Sequence, residues 1–376
     1  MVWKYANPVQ IEFGVDSFAK LPALIGKRRY AVVTYGEPFF DALVKGLEKD
    51  AGAPVLTIRD VAPNPDYQLL GEQTGRFAEL RLQPEVIVAL GGGSVIDSAK
   101  VFAAASGDFG KIKSFLEEQK GAELLSAIPI IAVPTTAGTG SEVTCWGTVW
   151  DAANGKKYSL AKSNLYPAVA VVDPRLMLGK PLSLTVSTGL DALSHSLESL
   201  WNLNNNPVSA NHAVFAARNI LDVLPKLVKD LGNIELRSRM AMAALFAGLA
   251  FSNTKTAIAH SLSYAITLRH GVQHGIACSF SLPMVLRSVR GVGGICEDSL
   301  KQIFGPDLTR GADDLEDFLG RLGVSSDPAS YGIDRKAWRI LIEDSLLGER
   351  GKNFIGAADR LIEASQITRL PTVKTA

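Results

Sequence analysis

A chain of 376 residues with 39 Lys and Arg against 38 Asp and Glu has a formal charge of +1. It shows no long run of one sign and no basic footprint for nucleic acid. Hydrophobic residues make up 47% of it, enough to bury the cores of the two domains that this length allows, while its longest apolar stretch, Ala241 to Phe251, is too short to span a bilayer.

Met1–Pro8 lacks the basic start and apolar run of a signal peptide. The three cysteines, Cys145, Cys278 and Cys296, are far apart and not in CxxC spacing. They read as reduced thiols of a cytoplasmic protein, each filling space as a small buried hydrophobe.

Short β-branched runs alternate with helical stretches through the first 180 residues. Gln10 to Phe13 reads as an edge strand, and 30–34, 55–59, 84–90, 128–133 and 169–172 as buried strands. Helices are predicted at about 37–51, 66–83 and 95–107. This rhythm implies an α/β domain with a mostly parallel sheet. Such a sheet binds ligands beyond the C-terminal ends of its strands.

Gly91-Gly92-Gly93-Ser94-Val95-Ile96-Asp97 follows the clearest strand. Its glycines let backbone approach an anion without a Cβ in the way, and the N-terminus of the next helix favours a phosphate. A glycine turn with Ser94 and Asp97 as a capping box is the plainer alternative. The stretch Pro134-Thr135-Thr136-Ala-Gly-Thr-Gly-Ser-Glu142 lies at the next strand end, where small hydroxyls suit phosphate and ribose. Lys156 and Lys157 follow, either solvated or reaching the cofactor.

Beyond residue 180 helical periodicity dominates, at roughly 184–202, 207–229, 235–252, 256–268, 275–290, 311–322 and 335–347. The division expected is therefore 1–180 and an all-helical 181–376, with a helix break at Asn202 to Pro207 and loops at 291–295 and 323–332. Within the first of these helices Asp191 and His195 stand four residues apart, on one face, where a carboxylate and an imidazole can grip one metal ion. His260 and His274 lie downstream in apolar helical stretches. Each alone reads as readily as a core histidine or a cap, and His212 only as the former.

Taken together, these residues resemble the iron-dependent, or group III, alcohol dehydrogenases. Asp173-Pro174, Pro181, the run Val186 to Asp191 and Glu198 fit that family's first signature. Phe251 to His260, then His274-Gly275 fourteen residues later, fit the second, and the GGGSxxD and PTTAGTGSEVT loops match as well. The resemblance implies an N-terminal dinucleotide-binding domain and a helical metal-binding domain with a cleft between them. It implies metal ligands Asp191, His195, His260 and His274, and cofactor contacts at Gly92, Gly93, Ser94, Asp97, Thr135, Thr136, Thr144 and Lys157. It also implies a homodimer and a small aldehyde or alcohol substrate.

One carboxylate and three imidazoles suit Fe²⁺, Zn²⁺ or similar ions, and the resemblance implies Fe²⁺ first. The chemistry implied is reversible hydride transfer between a nicotinamide and a carbonyl, with the ion as Lewis acid. The chain departs from the family pattern twice. No aspartate follows the second strand in Val33 to Pro38, so NADPH is admitted beside NADH and the cofactor is written NAD(P). Tyr264 stands where many members carry a histidine four residues past the third ligand. A phenol, with a pKa near ~10 when unperturbed, is a different acid, and His270 six residues on is the other candidate for proton transfer.

For the substrate, Thr254 to His260, Ser261 to Tyr264 and Gly275 to Ser279 look closest to the branch reducing phosphonoacetaldehyde or related anionic aldehydes. Lys255, Arg269 and Arg350 to Asn353 would supply the cations. Alternatives on related plans are a maleylacetate-type reductase and a cyclase or lyase of the dehydroquinate synthase type.

Overall fold

The structure is a computed structural model that describes residues 2–151 and 153–367. The N-terminal half is built from β1 (Gln10–Phe13), α1 (Leu21–Ile25), β2 (Tyr30–Val33), α2 (Pro38–Ala51), β3 (Leu56–Ile58), α3 (Tyr67–Ala78), β4 (Val86–Gly91), α4 (Gly93–Ala105), α5 (Phe109–Glu118), β5 (Ile130–Pro134), β6 (Trp146–Asp151), β7 (Lys156–Ala161) and β8 (Val169–Val172). Six of the strands form one parallel sheet in the order β1-β8-β5-β4-β2-β3.

The strands β2, β4, β5 and β8 are buried at every position. Continuous Val, Ile and Ala runs are what a sheet covered on both faces requires. Alternation then divides the core. Ala31, Val33, Ile87 and Ala89 pack with Leu70, Phe77, Phe102 and Ile112 on one side. Tyr30, Val32, Val86 and Val88 pack with Leu21, Phe40, Val44 and Leu47 on the other.

The hairpin β6–β7 is antiparallel and was not expected from the sequence, nor was α5. Its turn carries Asn154-Gly155, with Gly155 at φ 60°, a hairpin signal in itself. The predicted helix 66–83 ends at Ala78.

The C-terminal half is helical: α6 (Leu182–Leu200), α7 (Pro207–Leu227), α8 (Ile234–Thr254), α9 (Ile258–His270), α10 (His274–Ser279), α11 (Leu282–Ser288), α12 (Gly294–Phe304), α13 (Leu308–Arg321), α14 (Arg335–Leu347) and α15 (Ala358–Ala364). The predicted helix 275–290 is two helices. Pro283 sits in the first turn of α11, where its missing N–H does no harm but where an unbroken helix would need that donor. Helix α12 begins in a stretch read as loop, and α15 was not anticipated. The break at 202–207 is as expected: Asn206 caps α7 through a capping box with Ser209, ahead of Pro207.

Helix α6 runs through the middle, buried from Gly189 to Leu200, and packs with α7, α8 and α10 in one large core. The loop after β5 presses directly on α8. At Gly140, which holds φ 61°, an added Cβ would lie 2.6 Å from Gly248 Cα. No helix among the described residues is long and apolar enough to cross a membrane.

Candidate metal centre and nucleotide cleft

Asp191 and His195 lie one turn apart in α6, His260 in the first turn of α9, and His274 at the start of α10. Four side chains from three helices thus reach one cavity. His195 Nε2 is 3.8 Å and His260 Nε2 3.4 Å from Asp191 Oδ1. The His195 and His260 rings stack at 4.6 Å, and the other face of His195 lies on Phe251 at 4.0 Å, nearly parallel. The His260 and His274 rings meet edge to face at 5.6 Å.

This cluster is buried, yet three of its polar atoms, Asp191 Oδ1, His195 Nδ1 and His260 Nε2, have no hydrogen-bond partner among the described residues. Buried polar atoms are normally satisfied, so the orphaned Asp191 Oδ1 and His260 Nε2, 3.4 Å apart, fit a shared ion. Burial opposes charge on Asp191, but His195, His260 and His274 around it hold its carboxyl well below the usual carboxylate range. Burial pulls His195 to about 4 and His274 to about 3, so both are neutral near pH 7 with lone pairs available.

Two residues of the site were missed in the sequence. Cys278 shares the helical face of His274 one turn on, its Sγ 3.6 Å from His274 Nε2. Donor atoms of Asp191, His260, His274 and Cys278 all lie within 4.8 Å of one another. The thiol was read as packing because a lone cysteine in an apolar run normally is. The i, i+4 spacing from His274, the same as that from Asp191 to His195, was the available signal.

Glu198, fully buried, was read only as the end of a signature. Its carboxylate accepts from the N–H of Ala259 at 2.6 Å and faces His260 Nδ1 at 2.5 Å. That contact assigns the Nδ1 proton and turns Nε2 toward Asp191.

The same cavity, about 150 Å³, is also lined by Gly93, Ser94, Asp97, Thr144, Lys157 and Tyr264. Asp97 does not cap α4. The cap residue is Gly92, with no side-chain bond, and the Asp97 carboxylate instead accepts from Ser141 Oγ at 2.5 Å and Thr148 N–H at 2.9 Å. It thereby ties α4 to the loop after β5 and to the hairpin. Ser94 Oγ accepts from Asn64 N–H at 3.3 Å.

Lys100, fully buried, extends this network by donating to Ser141 O, Ser141 Oγ, Thr144 Oγ1 and Trp146 O at 2.7 to 3.2 Å. Thr136 lies against Gly92 but faces a neighbouring cavity with Lys180 and Thr188, and Thr135 is buried behind it. The structure does not bring His270 or Arg269 to the cavity; both are exposed at the end of α9.

Lys157 Nζ sits 3.9 Å over the Tyr264 ring and 4.7 Å over that of Trp150. Burial alone would raise the Tyr264 phenol. Lys157 and Arg350 beside it outweigh that and bring it below 10.

Residues 8–174 match the family described as iron-containing alcohol dehydrogenase, and residues 185–355 the C-terminal part of the Fe-containing alcohol dehydrogenase family. An NAD-dependent methanol dehydrogenase of Bacillus methanolicus is 33% identical over 267 residues, 69% of this chain and 68% of that protein. An NADPH-dependent butanol dehydrogenase of Clostridium saccharobutylicum is 33% identical over 294 residues, 76% and 73% of the two chains. Among solved structures, sulfoacetaldehyde reductase from Bifidobacterium kashiwanohense in complex with NAD+ superposes with a TM-score of 0.88 at 29% identity, covering 97% of this chain and 98% of that one.

Proposed function

This chain belongs to the iron-containing alcohol dehydrogenase family, and on that premise we propose that its cavity interconverts a small, negatively charged aldehyde and its alcohol. The enzyme class is that of the family, an NAD(P)-linked, metal-dependent oxidoreductase acting on CH–OH groups. The nucleotide is assigned to the 1–180 half and the ion to 181–376. When bound, the ion supplies a Lewis acid and the nicotinamide a hydride donor or acceptor.

Asp191, His260 and His274, with His195, would hold the ion, and Glu198 fixes the ring of His260 so that its Nε2 faces inward. Gly92, Gly93 and Ser94 would cradle phosphate at the head of α4. Asp97 and Thr144 brace the loop after β5 around the nucleotide. Phe251, stacked on His195 and 5.6 Å from Trp146, keeps water from the ring that it covers. Tyr264, its phenol made more acidic by Lys157 and Arg350, would hand a proton to the product alkoxide or take one from the alcohol.

The observation that carries the substrate class is the pair Lys157 and Arg350. Both line the cavity with the metal-site residues, and no ion pair of either with a carboxylate is found among the described residues. Of the two aspartates lining that cavity, Asp97 is bound to Ser141 and Thr148 and Asp191 lies among the histidines. Two cations lining a small cavity without a paired carboxylate among the described residues focus a field that favours an anionic substrate.

The test compares turnover of phosphonoacetaldehyde, sulfoacetaldehyde and uncharged short aldehydes in the unmodified enzyme, Lys157→Met and Arg350→Met, with the KM for NAD(P)H measured alongside. Anionic aldehydes should be preferred. Each variant should raise their KM while leaving that of uncharged aldehydes nearly unchanged. Preference for uncharged aldehydes overturns the substrate class, and a change in nucleotide KM alone reassigns Lys157 to the cofactor.

A further inference from the structure

A second cavity, of about 380 Å³, adjoins the one that holds the histidines, and Trp146, Lys157 and Arg350 line both. Phe115 of α5, Tyr158 of β7, Lys255 and Glu349 also border it. Three cations thus face one carboxylate there, and no ion pair between any of them and Glu349 is found among the described residues. Lys255 stands out by its backbone as well. It follows α8 with φ 65° and ψ −179°, a region that residues with a Cβ rarely enter and that glycine fills freely. Asp16, Ser106 and Gln119 also have positive φ, but their ψ of 12°, 48° and 32° puts them in the left-handed helical well. Hydrogen bonds pin the chain around Lys255. Its N–H donates to Phe251 O at 2.8 Å, and its carbonyl accepts from the buried Asn202 Nδ2 at 3.2 Å and from Thr254 Oγ1 at 2.9 Å. Asn353 Nδ2 donates to Thr256 O at 2.9 Å. Glycine could make every one of the main-chain bonds of Lys255 without strain, so the backbone gives no reason for a lysine here.

We propose that Lys255 determines substrate specificity: it holds the anionic group of the aldehyde in this second cavity while the carbonyl lies in the adjoining metal cavity. This rests on the anionic-aldehyde reading above and deepens it by assigning the charge a place of its own. Lys255 comes between Phe251, stacked on His195, and Thr256, which lines the metal cavity. The pinned turn therefore fixes where its ammonium stands relative to the metal-site residues. A strained backbone position that its surroundings hold in place is characteristic of a residue that serves a ligand. Lys157 and Arg350, common to both cavities, extend the positive field from one into the other. The aldehydes favoured are those that carry a phosphonate, sulfonate or similar anion at the end away from the carbonyl. A neutral aldehyde gains nothing from Lys255.

The experiment measures kcat and KM for phosphonoacetaldehyde, its three-carbon homologue and propanal in the unmodified chain, Lys255→Gly and Lys255→Arg, with urea unfolding and the KM of NAD(P)H followed alongside. Glycine relieves the backbone, so Lys255→Gly should be at least as stable as the unmodified chain. Its preference for the anionic aldehydes over propanal should fall about tenfold or more, the worth of one hydrogen bond between charged groups. The loss should appear in KM, and Lys255→Arg should keep most of the preference. An unchanged preference in Lys255→Gly overturns the proposal and leaves the anionic-aldehyde reading standing. So does an equal loss on all three aldehydes, or a rise confined to the KM of NAD(P)H. A preference for propanal in the unmodified chain brings down both.

Discussion

Replacing Glu198 by glutamine tests how the centre is oriented without emptying it. The carboxylate accepts from Ala259 N–H at 2.6 Å, and the amide oxygen of glutamine can keep that bond. Its other oxygen faces His260 Nδ1 at 2.5 Å, and there the amide presents N–H instead of an acceptor. His260 must then turn Nδ1 into an acceptor and carry its proton on Nε2, the atom aimed at Asp191.

Loss of such a partner typically lowers metal affinity about 10- to 100-fold, or about 1.4–2.8 kcal/mol. At a saturating ion concentration the same amount should disappear from the stabilisation that the ion confers. Chelator competition gives the affinity directly, and urea unfolding with and without ion gives the linked stability. The metal-free stability of Glu198→Gln should stay close to that of the unmodified chain. Unchanged affinity in this variant would refute the argument from ring orientation. A weaker affinity accompanied by an equal loss in the metal-free protein would show that Glu198 serves the core alone.

Chelation should abolish turnover while nucleotide binding, followed by fluorescence titration, persists, because the Gly92 to Asp97 loop and the histidine cluster are separate stretches of chain. Gly275→Ala should destabilise by about 1–3 kcal/mol or more in urea and loosen the ion, since the added Cβ would meet Ser187 O at 1.9 Å and push α10 from α6. Lys100 contributes a pH dependence of known sign. Burial pulls its ammonium from 10.5 to about 8, so the unfolded chain binds that proton more tightly and this group adds stability as pH rises from about 8 to 10.5. Unfolding of Lys100→Met across that window should lack this rise, and an identical slope in the two proteins would contradict it.

The sheet was legible because strands buried on both faces are unbroken β-branched runs, and the punctuation between them, Gly91 to Gly93 or Pro134 to Gly140, is chemical as well as structural. Asp191 and His195 were legible because a helix turns their spacing into proximity. What escaped was long-range or locally ambiguous. Glu198 meets Ala259 across 61 residues of chain, a pairing that no local period encodes.

The hairpin β6–β7 hid because just Val149 and Leu160 of its alternating positions are buried in the sheet core, with Tyr158 half-buried against it. His270 failed for a geometric reason. Ten residues beyond His260 is about 15 Å along a helix, whereas Tyr264, one turn on, still faces the cavity. The family pattern supplied the grouping of His260 and His274 with α6, which spacing alone left open.

Gly140 and Gly248 touch main chain to main chain, with no side chain to cushion the joint. A joint of that kind resists sliding and can serve as a fulcrum. The loop after β5, proposed above to meet the dinucleotide, is riveted there to the helix bearing Phe251. Two residues without side chains thereby fix how closely that loop and that helix approach each other.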